Sequence, residues 1–386
     1  MTRLDDLLSA TRDLPAPLAV VDEPALAANA DDLVRRAGGV PIRVASKSVR
    51  VRGVVAETLA RPGFAGVMSY SLAESLWLVE HGIDDVLLAY PTVDAAALRR
   101  LAADDRHRRA ITLMVDGLPA LDAIDRVLGP RHPDLQVCLD VDASYKIGPV
   151  HLGVRRSPVH SVRQARRAAE AIVRRPGFDL VGVMFYDAQI AGLPDTSPAV
   201  RLVKSRSAAE LADRRARVVD AVRGVADLRL VNAGGTGSLE VTGDDPCVTE
   251  LTAGSGLFTP TLFDSYDAFA ARPAAYFALD VVRRPARDVA TCFSGGYIAS
   301  GPTGDARRPT PVHPPGLDLI GTEGAGEVQT PVRGRAARNL APGDRVLFRH
   351  AKAGEMCERF DAVHLVDADG TVRSLPTYRG EGKNFG

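Results

Sequence analysis

An excess of charge of either sign is missing from this chain. Lys plus Arg number 48 and Asp plus Glu number 48 over 386 residues. No basic surplus points to nucleic acid, and neither sign points to a lipid surface. Long apolar runs are missing too. None approaches the roughly 18 residues of a membrane-spanning helix. The opening MTRLDDLLSATRDLPAP carries acids and no apolar core, unlike a signal peptide. Cysteine is scarce: Cys138, Cys247, Cys292 and Cys357 are scattered with no CxxC. That argues against a disulfide framework and predicts a reduced, cytoplasmic protein. There is no internal repeat and no long low-complexity linker. What remains is ordinary for a globular chain, 46% hydrophobic and 25% charged. The length suits a barrel of about 250 residues plus one further domain.

Short apolar runs recur along the first two thirds: PLAVVD (17–22), IRVAS (42–46), GVMSY (66–70), DVLLAY (85–90), ITLMVD (111–116), QVCLDVD (136–142), LVGVMFY (180–186), LRLVNA (228–233) and VTELTA (248–253). They are rich in Val, Ile and Leu without strict alternation, as parallel strands buried on both faces should be. Between them lie helix-like stretches. In SLAESLWLVEHG (71–82), Ser71 is a cap, Glu74 stands three residues on, and Gly82 is a stop. Alternation at this spacing predicts a parallel α/β architecture, although nine strands is one too many for a barrel. After about residue 265 the pattern gives way to Gly/Pro-punctuated, β-prone segments. The expected fold is therefore a (β/α)₈ TIM-type barrel over 23–265 and a mostly β C-terminal domain over 266–386.

Lys47 directly follows a buried-type strand in IRVASKSVR. Strand carboxyl ends face the active site of such a barrel, and burial with neighbouring cations such as Arg43 and Arg50 can discharge a lysine there. By position alone, most lysines after a strand are solvated. Two glycine loops follow later strands: VNAGGTGSLE (231–240), with Gly234, Gly235, Thr236, Gly237 and Ser238, and TELTAGSGLF (249–258), with Gly254, Ser255 and Gly256. Glycine lets backbone N–H groups approach an anion, and barrels commonly hold a phosphate after their last two strands. Glycine clusters are more often plain turns, but the pair with a strand-end lysine is more specific than either loop. Neither loop is the dinucleotide pattern GxGxxG.

The series PLAVVDEPALAANADDLVRRAG, IRVASKSVR, SLAESLWLVEHGIDDVLLAYP, VNAGGTGS and TELTAGSGLF resembles the fold-type III pyridoxal-phosphate enzymes. The branch it is most similar to is D-threonine aldolase and D-serine dehydratase, grouped with the alanine racemase barrel. The tail, RHAKAGEMCERFDAVHLV and PTYRGEGKNFG, resembles proteins described as amino acid deaminase/aldolase. The resemblance implies that Lys47 is the Schiff-base lysine of pyridoxal 5'-phosphate. It implies that Arg43 and Tyr186 lie near that cofactor, and that Gly234, Gly235, Thr236, Gly237, Gly254 and Ser255 hold its phosphate. Tyr186 is also a candidate catalytic residue. The first run, within 1–22, would join the β domain and remove the surplus strand. The resemblance also implies a homodimer in which one subunit's β domain closes the other's site.

Two departures stand out. Where the racemases and aldolases read Arg-Pro-Gly at the last phosphate turn, this chain reads Thr252-Ala253-Gly254, so no arginine meets the ring nitrogen there. The dehydratase branch carries a His-x-Cys pair near the C-terminus and the aldolase branch a His-x-Asp pair. This chain reads HAKAGEMC over 350–357. That suggests a divalent ion on His350 and Cys357, with Glu355 as a further ligand. Cys with His suits zinc, whereas a Glu-dominated site suits manganese or magnesium. The expected activity is a lyase acting on small D-configured β-hydroxy amino acids by retro-aldol cleavage to glycine and an aldehyde. A D-serine dehydratase, an amino acid racemase and a non-catalytic pyridoxal-phosphate binder stay open as alternatives. The aldolase and dehydratase paths use the same residues, whereas a racemase needs a second acid/base on the opposite face.

Overall fold

Eight parallel strands close into a barrel: Ile42–Ala45, Phe64–Ser69, Val86–Leu88, Ile111–Val115, Leu135–Asp140, Phe178–Phe185, Leu230–Ala233 and Glu250–Ala253. They are called barrel strands one to eight below. Strand eight closes on strand one through the register Thr252↔Arg43 and Ala253↔Val44. The computed structural model from which these elements are taken describes residues 2–270, 272–352 and 354–386. The apolar runs form these strands because both faces are covered. Ile42–Ala45, Val86–Leu88 and Ile111–Val115 are buried at every position, which a one-faced strand would not allow. Met68, Leu87, Ala89, Met114, Cys138 and Met184 form a buried cluster drawn from strands two to six and the residue just past strand three. This is a packed core of the kind that fills such barrels.

Helices alternate with the strands. Leu72–Glu80 is capped by Ser71, whose Oγ accepts the N–H of Glu74 at 3.2 Å, and the chain turns at Gly82 with φ +91°. Glu74 returns a bond to the N–H of Tyr70 at 2.8 Å, one residue before the cap. A 26-residue helix, Pro198–Arg223, precedes strand seven. A small hairpin, Tyr145–Ile147 with Val150–Leu152, follows strand five; it does not stand out in the apolar pattern.

The chain divides into two compact units. One comprises Leu33–Ser46, Thr58–Gly254 and Phe385–Gly386 and holds the whole barrel. The other comprises Met1–Asp32, Lys47–Glu57 and Ser255–Asn384. It is built on a nine-stranded sheet. Leu18–Asp22, the first of the nine apolar runs, belongs to this sheet and not to the barrel. It pairs antiparallel with Ala275–Ala286 and parallel with Ala362–Val366. Arg345–Arg349 pairs with Ala275–Ala286 and with Thr310–His313. Leu7, Leu18, Val20, Tyr276, Ala278, Leu347 and Val366 form the core on one face of the sheet. The (β/α)₈ TIM-type fold with a second, mostly β domain is thus the fold of the chain.

Candidate active site

The candidate residues cluster by strand end. Strand one runs to Ala45, and the chain then makes a single 3-10 turn, Ser46–Ser48, that carries Lys47. Ser46 Oγ donates to the Met68 carbonyl on strand two at 3.1 Å and pins the start of the turn. Lys47 is half-buried, and its carbonyl accepts from Arg50 Nε at 3.2 Å. Arg50 has φ +54°, uncommon for a residue with a side chain, and its guanidinium also pairs with Glu358.

Strands six and seven are neighbours, with Ala233 opposite Phe185, so Tyr186 and Gly234 each stand one residue past the same barrel end. Gly234 turns with φ +80°. Gly235 is required by close approach: a Cβ there would stand 2.8 Å from the Cβ of Ala191 and 3.8 Å from Cε2 of Tyr186. The loop is anchored from two sides. Ser238 Oγ and Thr242 Oγ1 donate to the buried carboxylate of Asp187 at 3.1 and 2.8 Å. Arg36 donates to the Thr236 carbonyl at 2.7 Å. Burial raises the Asp187 carboxyl, offset in part by the charge of Arg215 and by these hydroxyls. Thr236 and Gly237 are buried, and Gly254 opens the next loop directly after strand eight. Glycine backbone and hydroxyls at adjacent strand ends suit a phosphate, and a lysine amine at the end of strand one suits an aldehyde. This donor set fits the cofactor that the resemblance implies. Thr252, in place of the family's arginine, uses its hydroxyl to accept from Asn232 Nδ2 at 2.8 Å.

Arg43 lies elsewhere on the same strand. Its Nε and Nη2 donate to Glu250 at 2.9 and 2.7 Å, and Nη1 and Nη2 to Asp85 at 2.8 and 3.0 Å. Glu250 is the first residue of strand eight, and Asp85 immediately precedes strand three. The guanidinium is therefore spent at the amino ends of the strands. Burial works against its charge, but the bonds to Glu250 and Asp85 outweigh burial and hold it protonated. Asn232 joins this network through Glu250 at 2.8 Å.

A further acid/base group sits at the end of strand five. Asp140 is the last residue of that strand, and its carboxyl is pushed up to about 7 by burial. The charge of Arg156 opposes the shift, and Asp116 and Asp142 add to it. The Arg156 guanidinium lies 5.0 Å from the ring centre of Tyr186 and 5.5 Å from that of Tyr90, within cation–π range. Burial also raises the Tyr186 hydroxyl, against the pull of Arg156. Asp142, two residues on, pairs with Lys146 at 2.8 Å. The signal for Asp140 is present in the sequence as the two acids that end QVCLDVD.

The residues expected to hold a metal follow Arg345–Arg349, with His350 directly after it and Glu355 and Cys357 on the 3-10 helix Glu355–Arg359. His350 is buried. Its Nδ1 meets the Ala275 carbonyl at 3.2 Å, and its Nε2 has no hydrogen-bond partner. Burial lowers the His350 imidazole to about 4 and raises the Cys357 thiol to about 12. Glu355 accepts the Ser300 N–H at 2.7 Å and the Ser300 hydroxyl at 2.5 Å. Among the described residues, no three His, Cys, Asp or Glu side chains gather as a metal ion would need. The residues present do not fit a divalent ion. Nor, among the described residues, is any helix long and apolar enough to cross a membrane.

The family described as alanine racemase, N-terminal domain, matches residues 21–259. Three solved structures show the same fold. D-threonine aldolase from Filomicrobium marinum is 20% identical, with 96% of each chain covered and a TM-score of 0.80. D-threo-3-hydroxyaspartate dehydratase from Delftia sp. HT23 is 22% identical, covering 95% of this chain and 98% of its own, with a TM-score of 0.75. An alanine racemase of Clostridium difficile 630 is 14% identical, covering 95% and 100%, with a TM-score of 0.63. No curated protein gave a significant match.

Proposed function

We propose that this chain, which belongs to the alanine racemase N-terminal domain family, is a pyridoxal-phosphate-dependent lyase that cleaves small D-β-hydroxy amino acids to glycine and an aldehyde. The observation that carries the reading is the placement of Lys47 just past barrel strand one, with glycine loops opening directly after strands seven and eight. The likeness to a D-threonine aldolase over 96% of both chains supports the choice of reaction. Lys47 would hold the cofactor through its amine. The loops at Gly234–Gly237 and Gly254–Ser255 would hold its phosphate, with Tyr186 beside the first. Bound there, the cofactor supplies a sink for the electron pair released at Cα.

The chain's own groups supply the rest. Asp140, poised at about 7, would take the proton from the substrate's β-hydroxyl oxygen, since a carboxylate near the working pH serves best as base and then acid. Arg156, its face against Tyr186 and Tyr90, would offer its planar donors to the substrate carboxylate. We assign Arg43 to the buried Glu250–Asp85 network and not to the cofactor.

The test is the visible absorption of purified protein before and after borohydride, beside Lys47→Ala. A cofactor band that borohydride removes and the variant lacks is expected, with aldehyde released from D-threonine by the wild type. Absence of the band after cofactor is added would sink the assignment. Ammonia and oxo-acid in place of aldehyde would move the chain to the dehydratase reading, which the likeness to the Delftia enzyme favours. Enantiomer exchange with neither product would make it a racemase.

A further inference from the structure

We propose that the ammonium of Lys352 does in this chain the work of a divalent ion, and that the protein functions without a metal. The inference rests on the lyase reading. A His-x-Cys or His-x-Asp pair places a second metal ligand two residues after the histidine. Two residues after His350 this chain has Lys352. A protonated amine carries three donors and no lone pair, so it cannot ligate.

The amine is held by two neighbours on a half-exposed side chain. Lys352 Nζ donates to Ser300 Oγ at 2.7 Å and pairs with Glu355 at 3.1 Å. Glu355 is itself fixed by the Ser300 N–H and hydroxyl. Glu355, a candidate ligand by sequence, instead neutralises and positions a lysine. Among the described residues two of the three N–H donors are used, which leaves one for an oxygen of a bound anion.

Two residues after Lys352, Gly354 meets the turn that carries Lys47. Gly354 has φ +84°, and a Cβ there would collide with the Lys47 carbonyl oxygen and come within 2.9 Å of Ser48 Cα. Arg50 ties the two turns together, donating to the Lys47 carbonyl and pairing with Glu358. Lys352 thus lies two residues from a backbone contact with the residue proposed to hold the cofactor. There it would hold the β-oxygen of the hydroxy amino acid by a charge-assisted hydrogen bond. It would supply one positive charge and one donor where an ion would act as a Lewis acid.

The experiment is elemental analysis of the purified holoprotein before and after chelation, with the cofactor band recorded on the same sample. Substoichiometric metal and turnover unchanged by chelator are expected. Lys352→Met is expected to keep the band and lose turnover by roughly 10²-fold, as removal of one preorganised donor does. Lys352→Cys, which restores a His-x-Cys pair with His350, is expected to take up zinc. One tightly held metal per wild-type chain would overturn the proposal. So would full turnover in Lys352→Met, or a Lys352→Cys protein that binds no zinc. If no amino acid is turned over, the lyase reading fails on its own, while the metal content and the zinc uptake of Lys352→Cys still decide this one.

Discussion

At the scale of single residues, the chemistry of this chain depends on what burial does to charge. Asp140 ends strand five in surroundings that raise its carboxyl from 3.8 to about 7. Between those values the folded protein keeps a proton that the unfolded chain has released. Stability therefore falls as pH rises across that window and levels off above it. Asp140→Asn has no such proton to lose. Urea midpoints of wild type and variant are expected to draw apart as pH rises, at no more than about 1.4 kcal/mol per pH unit. The same variant should lose the limb of the pH–rate profile near neutrality. A stability difference independent of pH would remove Asp140 as the titrating group. The contrast with Arg43 is instructive. Both are buried charged residues on barrel strands, but Arg43 meets two carboxylates and is locked, whereas Asp140 has no direct ion-pair partner among the described residues and is poised. Residue type did not separate them, because the partners of Arg43 come from Asp85 and Glu250, 42 and 207 residues along the chain.

At the scale of elements, the proposed site rests on turns at which an added Cβ meets close neighbours. Gly354 and Gly370 both have positive φ, +84° and +87°, but an added Cβ meets the Lys47 backbone at the first and open space at the second. Alanine at either position adds backbone strain of about 1–3 kcal/mol. Gly354→Ala alone adds a clash with backbone that cannot give way. It is expected to lower the melting temperature more than Gly370→Ala does and to release the cofactor band on dialysis, whereas Gly370→Ala retains it. Equal behaviour of the two variants would show that the contact between the 354 and 47 turns is unimportant. Elements were largely legible in advance because hydrophobic runs report burial: eight of the nine runs coincide with barrel strands. The 145–152 hairpin escaped because its pattern of burial is mixed and partly exposed. It packs little of itself, so it leaves no periodic signal.

At the scale of the whole molecule, a cofactor that binds only the folded chain stabilises it by mass action. Free cofactor at a hundred times its dissociation constant adds about 2.7 kcal/mol. Stripped wild-type protein is expected to melt higher as pyridoxal phosphate is added, and Lys47→Ala to respond far less at the same concentrations. A rise of equal size in both would mean that binding does not depend on Lys47. The sequence by itself determined the strand–helix alternation, the change to β-prone segments near 265, the strand-end lysine and the glycine loops, since each is written in neighbouring residues. The family resemblance already placed Leu18–Asp22 with the β domain, but tertiary structure alone decided its partner strands, more than 250 residues away, and that Arg43 faces carboxylates. It also decided that Asp140 is raised to neutrality and that Glu355 is bound to Ser300 and Lys352. The division has one physical cause. Periodicity and turn chemistry are local properties of the chain, whereas desolvation, ion pairing and strand partnership depend on which distant groups the fold brings within a few ångströms.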